Sequence, residues 1–265
     1  MKRLIQSLTL AAALSLTLGC SPFGEPNTFT FAPDFPPDFK YDLRATYVPA
    51  KGQTCTVPGG KKTQLGFNKI YMEYELTSEI PLYRTVSDCP LALNLVEINI
   101  TGLIGKDNKR SYTDYDFASF SVRSELLEKY QGAFNSEGEG TFSGECQWLF
   151  RTIGPKRYLT KILDCKNTDG QGKVTQGHPF TAYTLDQLPG KTVKLKIKLA
   201  DEELPGWGDT WVKVPGGWKR CMGGGFEDQR GYCNGNYKDF STFRMVDERI
   251  CTVYPGCTEN KDETP

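Results

Sequence analysis

The feature that most constrains this chain is its set of nine cysteines: Cys20, Cys55, Cys89, Cys146, Cys165, Cys221, Cys233, Cys251 and Cys257. Disulfides alone cannot consume an odd number. Cys20 stands apart, directly behind an apolar N-terminal stretch, and setting it aside leaves an even set. Eight thiols in an oxidising compartment read as four disulfides. No C-x-x-C pair occurs, and oxidised thiols do not ligate metal, so the cysteines make a poor zinc site.

The N-terminus speaks to the compartment. Met1-Lys2-Arg3 is a positive start, and residues 4–18 carry no charge. The stretch is shorter than the roughly 20 residues of a membrane span and has the length of a signal-peptide apolar region. It closes on Thr17-Leu18-Gly19-Cys20, which resembles the lipobox of bacterial lipoproteins. Gly19 and Cys20 fit that pattern, whereas Thr17 and Leu18 depart from its leucine-then-small order. The resemblance implies cleavage after residue 19 and a lipid on Cys20. Ser21 in place of Asp implies sorting to the outer membrane, facing the periplasm of a Gram-negative cell. Ordinary secretion would want an A-x-A site near the end of the apolar stretch, and Ala11-Ala12-Ala13 lies in its middle instead. Removing residues 1–19 takes away Lys2 and Arg3 and no acid, leaving 30 basic against 32 acidic side chains. A chain so near neutrality has no electrostatic footprint for nucleic acid.

Behind Cys20 the chain divides by composition. Residues 20–40 are rich in Pro and Phe and read as a tether, unless the repeated Phe side chains pack onto the body. Residues 41–200 read as an antiparallel, sandwich-like β domain. Within it, 69–76, 93–100 and 112–122 carry the aromatic and β-branched residues of strands. Val96, Ile98 and Ile100 share one face there, Glu97 and Asn99 the other. Only 124–130 resembles a helix, of about two turns. Thr192–Leu199 alternates cleanly, with Val193, Leu195, Ile197 and Leu199 opposite Lys194, Lys196 and Lys198. The lysines read as a solvated face or as guards of an edge strand. Residues 201–257 hold Trp207, Trp211, Trp218, four cysteines and many glycines, and read as a loop-dominated, disulfide-rich subdomain. Residues 258–265 read as a disordered tail.

The clearest local structure is a hairpin over 140–164 that turns at Gly154-Pro155-Lys156-Arg157. Symmetry about Pro155 and Lys156 sets Trp148 against Leu163 and Leu149 against Ile162. The same register sets Cys146 against Cys165, which predicts a cross-strand disulfide. Cys55–Cys89 is the expected partner bridge, and the pairing of Cys221, Cys233, Cys251 and Cys257 stays open.

Few residues suggest chemistry. His178, the single histidine, sits between Gly177 and Pro179 in a turn, and no G-x-S-x-G elbow accompanies it. Asn167-Thr168-Asp169-Gly170 has the look of an EF-hand loop, but its first ligand position falls on Cys165, so a tight turn is the better account. Gly223-Gly224-Gly225 lacks the Lys-Ser/Thr of a phosphate loop. Asp201-Glu202-Glu203 reads as solvated, and a carboxylate pair formed elsewhere in space is the remaining route to a hydrolase. No metal or cofactor is implied. Trp207, Trp211, Trp218, Tyr232 and Tyr237 are the candidate partner-binding residues, because aromatics carry much of the energy of interfaces. The bland alternative is that they form the subdomain's own small core.

The segment Gly144-Glu145-Cys146-Gln147-Trp148, followed by Cys165, resembles lipoproteins that accompany type VI secretion lipase effectors. That resemblance implies an immunity protein, not an enzyme. Its expected partner is a phospholipase toxin, which it holds in the periplasm away from the cell's own membranes. It transfers no binding residue onto this chain. The competing expectation is an envelope lipoprotein that binds glycan or another outer-membrane protein in a structural or assembly role.

Overall fold

The computed structural model describes residues 26–57, 65–67, 77–105, 112–225, 228 and 230–258. The signal segment 1–19, Cys20, the strand expected over 69–76 and tail residues 259–265 lie outside the described residues. In chain order the strands of the body are β1 (Thr28–Asp34), β2 (Phe39–Pro49), β3 (Leu65–Phe67), β4 (Ser78–Pro81), β5 (Tyr83–Val86), β6 (Cys89–Ile104), β7 (Tyr112–Arg123), β8 (Glu139–Ile153), β9 (Tyr158–Asn167), β10 (Phe180–Thr184) and β11 (Thr192–Leu199). Shorter strands follow: β12 (Leu204–Pro205), β13 (Trp211–Val214), β14 (Gly217–Cys221), β15 (Phe240–Ser241), β16 (Phe243–Arg244), β17 (Ile250–Cys251) and β18 (Tyr254–Pro255).

The fold is mainly β. One sheet runs β17-β16-β9-β8-β11-β1-β4, with β12 on β8 beyond the end of β11. A second runs β10-β7-β6-β2-β3, with β5 on β6. Their inner faces meet in one core, where Phe29, Phe31, Val193 and Leu195 pack with Leu43, Ile98, Ile100 and Phe120. Phe29 and Phe120 meet edge to face across it, 5.8 Å between ring centroids. The alternation read from the sequence is the reason: Val96, Ile98 and Ile100 are fully buried while Glu97 is exposed.

Strand directions depart from the antiparallel expectation. β11 lies parallel to both β8 and β1, and β10 lies parallel to β7. Parallel neighbours need long crossovers, and the β8–β9 hairpin occupies the crossover from β7 to β10. Alternation within a strand reports its two faces and is silent about its neighbours. The lysines of β11 therefore guard no edge. They line the outer face of a central strand, where Lys194 pairs with Glu139 at 2.8 Å.

Two local expectations are corrected. The segment 20–40 is not a tether as far as residue 40: β1 is inserted between β11 and β4, with Phe29 and Phe31 fully buried. Over 124–130 only one 3-10 turn forms, Glu128–Tyr130, without a side-chain cap and with no residue buried. A two-turn helix that buries no face does not offset the cost of nucleation. By contrast, the hairpin has the predicted register throughout, Cys146 opposite Cys165 and Trp148 opposite Leu163, around the turn 154–157. Thr168 to Val174 is a tight turn, in which the Asp169 carboxylate accepts the N–H groups of Gln171 and Lys173.

Four disulfides staple the chain: Cys55–Cys89, Cys146–Cys165, Cys221–Cys233 and Cys251–Cys257. Residues 201–257 extend the body as well as folding on themselves. β12, β16 and β17 join the first sheet, while β13, β14, β15 and β18 form a third, small one. Phe150 and Leu159 of the body share a second core with Trp211, Phe243 and Tyr254. Arg220, fully buried, ties these parts together. Its guanidinium donates to Thr152 Oγ1 on β8 (2.8 Å), Ser241 Oγ on β15 (2.7 Å), Cys221 O (3.1 Å) and Asp228 O (3.2 Å). Burial, with the Arg157 charge adding to it, brings its pKa down to about 10.

Candidate functional site

Strand β7 carries large side chains on both faces. Ala118, Phe120 and Val122 point into the sandwich, while Tyr115 and Phe117 point out and are 67% and 47% exposed. Strand pairing extends the outward row. Thr101 lies opposite Tyr115, Asn99 opposite Phe117, and Leu103 one step along β6 is also exposed. On the other side Phe180 of β10 lies opposite Ser119 and is 52% exposed. The result is an aromatic band, Leu103–Tyr115–Phe117–Phe180, across the outer face of the second sheet. Lys40, Asp42, Arg44 and Glu97 rim it on β2 and β6, with Asn99 donating to Asp42 at 2.8 Å. An apolar centre inside a polar rim is the anatomy of a protein-binding surface.

The same strand fixes the band from below. The inward-facing Asp114 and Asp116 reach across the sandwich to the edge of β9 beyond its short pairing with β16. There Asp114 Oδ2 accepts the Leu163 N–H (2.9 Å) and Asp116 Oδ2 the Cys165 N–H (2.6 Å). Two carboxylates thus stand in for a missing neighbour strand and lock β7 to the Cys146–Cys165 hairpin. Burial raises Asp116 above the usual carboxylate range, against the opposing pull of the Cys165 and Phe117 N–H groups and His178.

His178 belongs to this site, which its sequence context did not reveal. Its ring lies against Phe117, 4.0 Å between centroids, and its Nδ1 is 3.2 Å from Asp116 Oδ1 without the alignment of a hydrogen bond. An Asp–His pair is two parts of a hydrolytic relay; here one face of the imidazole stacks on Phe117. The arrangement props up the aromatic band.

The candidates drawn from 201–257 are dispersed. Trp211 is 7% exposed and packs edge to face on Phe150 and Phe243, so it is a core residue and not a contact. Trp218 is half-buried against the same core, with Lys213 over its ring at 5.5 Å. Trp207 is half-buried beneath two guanidiniums, Arg151 at 4.5 Å and Arg230 at 5.4 Å. Tyr232 accepts from Arg230, and exposed Tyr237 donates to Asp209 at 2.9 Å. Of the acidic triplet Asp201 and Glu202 are solvated, but Glu203 turns inward, paired with Lys161 at 2.6 Å and accepting the Tyr254 hydroxyl. Trp211 and Trp218 are thus engaged in the core shared with Phe150 of the body, while Tyr237 stays exposed.

The signal for this exposed aromatic face was present in the sequence. Over 112–122 aromatics occupy both parities, and a strand with one face in a core has no internal need for rings on the other. Fold and site together define a class: an extracytoplasmic β protein, stapled by disulfides, with an exposed aromatic sheet face. Compared with family models, curated proteins and solved structures, the chain matches none.

Proposed function

We propose that this protein is a lipid-anchored, periplasm-facing binder that captures and neutralises a phospholipase toxin through the aromatic face of its second sheet. The observation that carries the reading is that band of exposed rings on a braced strand. An inhibitor needs affinity and not chemistry, and a surface held by strand pairing, the two aspartates and the hairpin disulfide loses little entropy on binding. The resemblance around Gly144–Trp148 supports a lipase-type toxin as the partner, and the N-terminal signal supports the periplasm as the meeting place. The acyl chain on Cys20 would hold the protein where such a toxin attacks.

The test is co-expression with a phospholipase effector of a type VI secretion system, directed to the periplasm. The lipase should kill alone and be tolerated with the lipoprotein present. Purified partners should form a complex whose lipid hydrolysis falls to zero near equal amounts. Tyr115→Ser with Phe117→Ser removes two exposed rings and should weaken the complex about 30-fold or more, as loss of hot-spot residues does. Protection without a detectable complex would remove direct inhibition. Unchanged affinity in the double variant would move the interface elsewhere, and absence of protection would leave glycan or envelope-protein binding as the role of this face.

A further inference from the structure

The strand directions give the sandwich two distinct poles. At one, β1, β8 and β11 begin together: Thr30 pairs with Thr192, Thr192 with Glu139, and Thr28 with Pro81. The Tyr47 hydroxyl donates to Pro81 O at 2.8 Å, which brings in the end of β2, and register places Arg123 and Thr184 there too. At the other pole lie the hairpin turn 154–157, the Phe39–Gly102 pair and the third sheet, through Arg220 and Thr152. β8 runs from one to the other over 15 residues, which at about 3.3 Å per residue is roughly 50 Å.

The N-terminal chain is bolted to the first pole. Asn27 O accepts the Leu82 N–H at 2.8 Å, and its side-chain amide exchanges two hydrogen bonds with the Tyr83 backbone at 3.0 and 3.1 Å. Whatever path the intervening residues take, the seven peptide units from Cys20 to Asn27 span at most about 25 Å. A lipid on Cys20 therefore keeps this pole near the bilayer, and the leash is only about half the length of the sandwich.

The surface chemistry of that pole suits a headgroup layer. Tyr83, Leu127 and Tyr130 are exposed there, and amphipathic rings of this kind settle at membrane interfaces. Lys51, Arg123 and Lys129 stand among them, with Glu125, Glu128 and Asp186 as the neighbouring acids; Lys51 and Glu125 pair at 2.6 Å. A cavity of about 600 Å³ opens between the ends of β2, β6 and β7, lined by Lys51, Tyr83, Asn94, Arg123, Ser124 and Asp186.

We infer that this pole is a phospholipid-docking surface, which seats the sandwich upright on the bilayer and presents the third sheet about 50 Å away from it. The inference rests on the lipid anchor proposed above. Upright seating leaves the aromatic band of the second sheet on the side of the molecule, open to a partner working along the membrane.

The experiment uses the full lipidated protein with dimethylated lysines, in nanodiscs of phosphatidylethanolamine and phosphatidylglycerol that contain a headgroup nitroxide. Lysine methyl NMR intensities are compared before and after the nitroxide is reduced in the same sample. Lys51 and Lys129 should lose most of their intensity to the nitroxide, and Lys213, Lys219 and Lys238 almost none. Comparable losses at both sets would mean that the sandwich lies flat, and losses at neither would mean that it floats free; each overturns the docking surface. Protein that fails to co-purify with the discs overturns the anchor itself, and the docking inference with it.

Discussion

Arg220 is where the body and the C-terminal region can be separated by one substitution. Arg220→Ala removes four donated hydrogen bonds, to Thr152, Ser241, Cys221 and Asp228. Bonds from a charged donor are worth about 1.5–3 kcal/mol each, which sets a gross loss of roughly 6–12 kcal/mol. Against this, the guanidinium no longer has to be desolvated. Its pKa of about 10, against 12.5 in water, corresponds to roughly 3 kcal/mol at 1.36 kcal/mol per pKa unit. The Ser241 hydroxyl already donates to Cys221 O at 3.0 Å, so that carbonyl is not orphaned. The net loss should be about 3–9 kcal/mol, placed at the junction of β8 and β14. Arg220→Lys, which keeps the charge without the planar fork, should lose about half as much. Guanidinium unfolding with disulfides intact measures the total, and amide exchange locates it: Arg220 to Ser241 should open while β6 and β7 stay protected. A loss below about 1 kcal/mol for Arg220→Ala, or exchange that rises evenly through both sheets, would refute the account of Arg220 as the tie. Gly231→Ala offers a cross-check from the other side, since a Cβ there overlaps the Arg220 guanidinium.

Three further outcomes follow from the same geometry. Trp211→Ala should cost about 3–5 kcal/mol as a core truncation, whereas Tyr237→Ala, on an exposed ring, should change the denaturation midpoint little. Replacing Cys146 and Cys165 together by Ser opens a loop with a sequence separation of 19 and should cost about 3 kcal/mol on the chain-entropy account, read from denaturant midpoints. Burial raises Tyr183 to about 12 from 10.0. Its contribution is complete below pH 10 and is lost as pH climbs to about 12, because the unfolded chain ionises first. That loss is roughly 2.7 kcal/mol. Tyr183→Phe should therefore flatten the fall in stability between pH 10 and 12, and equal slopes in both proteins would contradict the sign.

Much of this protein is legible in its sequence alone. The parity of the cysteines, the hairpin register that brings Cys146 to Cys165, and the alternating faces of β6 and β11 are local matters. They depend on period-two side-chain direction and on turn symmetry, which neighbouring residues specify among themselves. What stayed hidden depends on residues far apart in the chain. For the Phe29–Phe31 segment tether and packing are both open in the sequence, and β11 and β4 decide for packing by closing on it. The lysines of β11 read as a solvated face or as edge guards, and only the flanking of β11 by β1 and β8 rules out the edge. Trp211 reads as a contact until Phe150, some sixty positions earlier, is found against its ring. His178 reads as a turn residue until Asp116 and Phe117 arrive beside it through the parallel pairing of β10 with β7. Side-chain direction is a property of the strand and is written locally. Which surface a strand covers, and which it leaves to solvent and partners, depends on non-local pairing, and only the tertiary structure decides that.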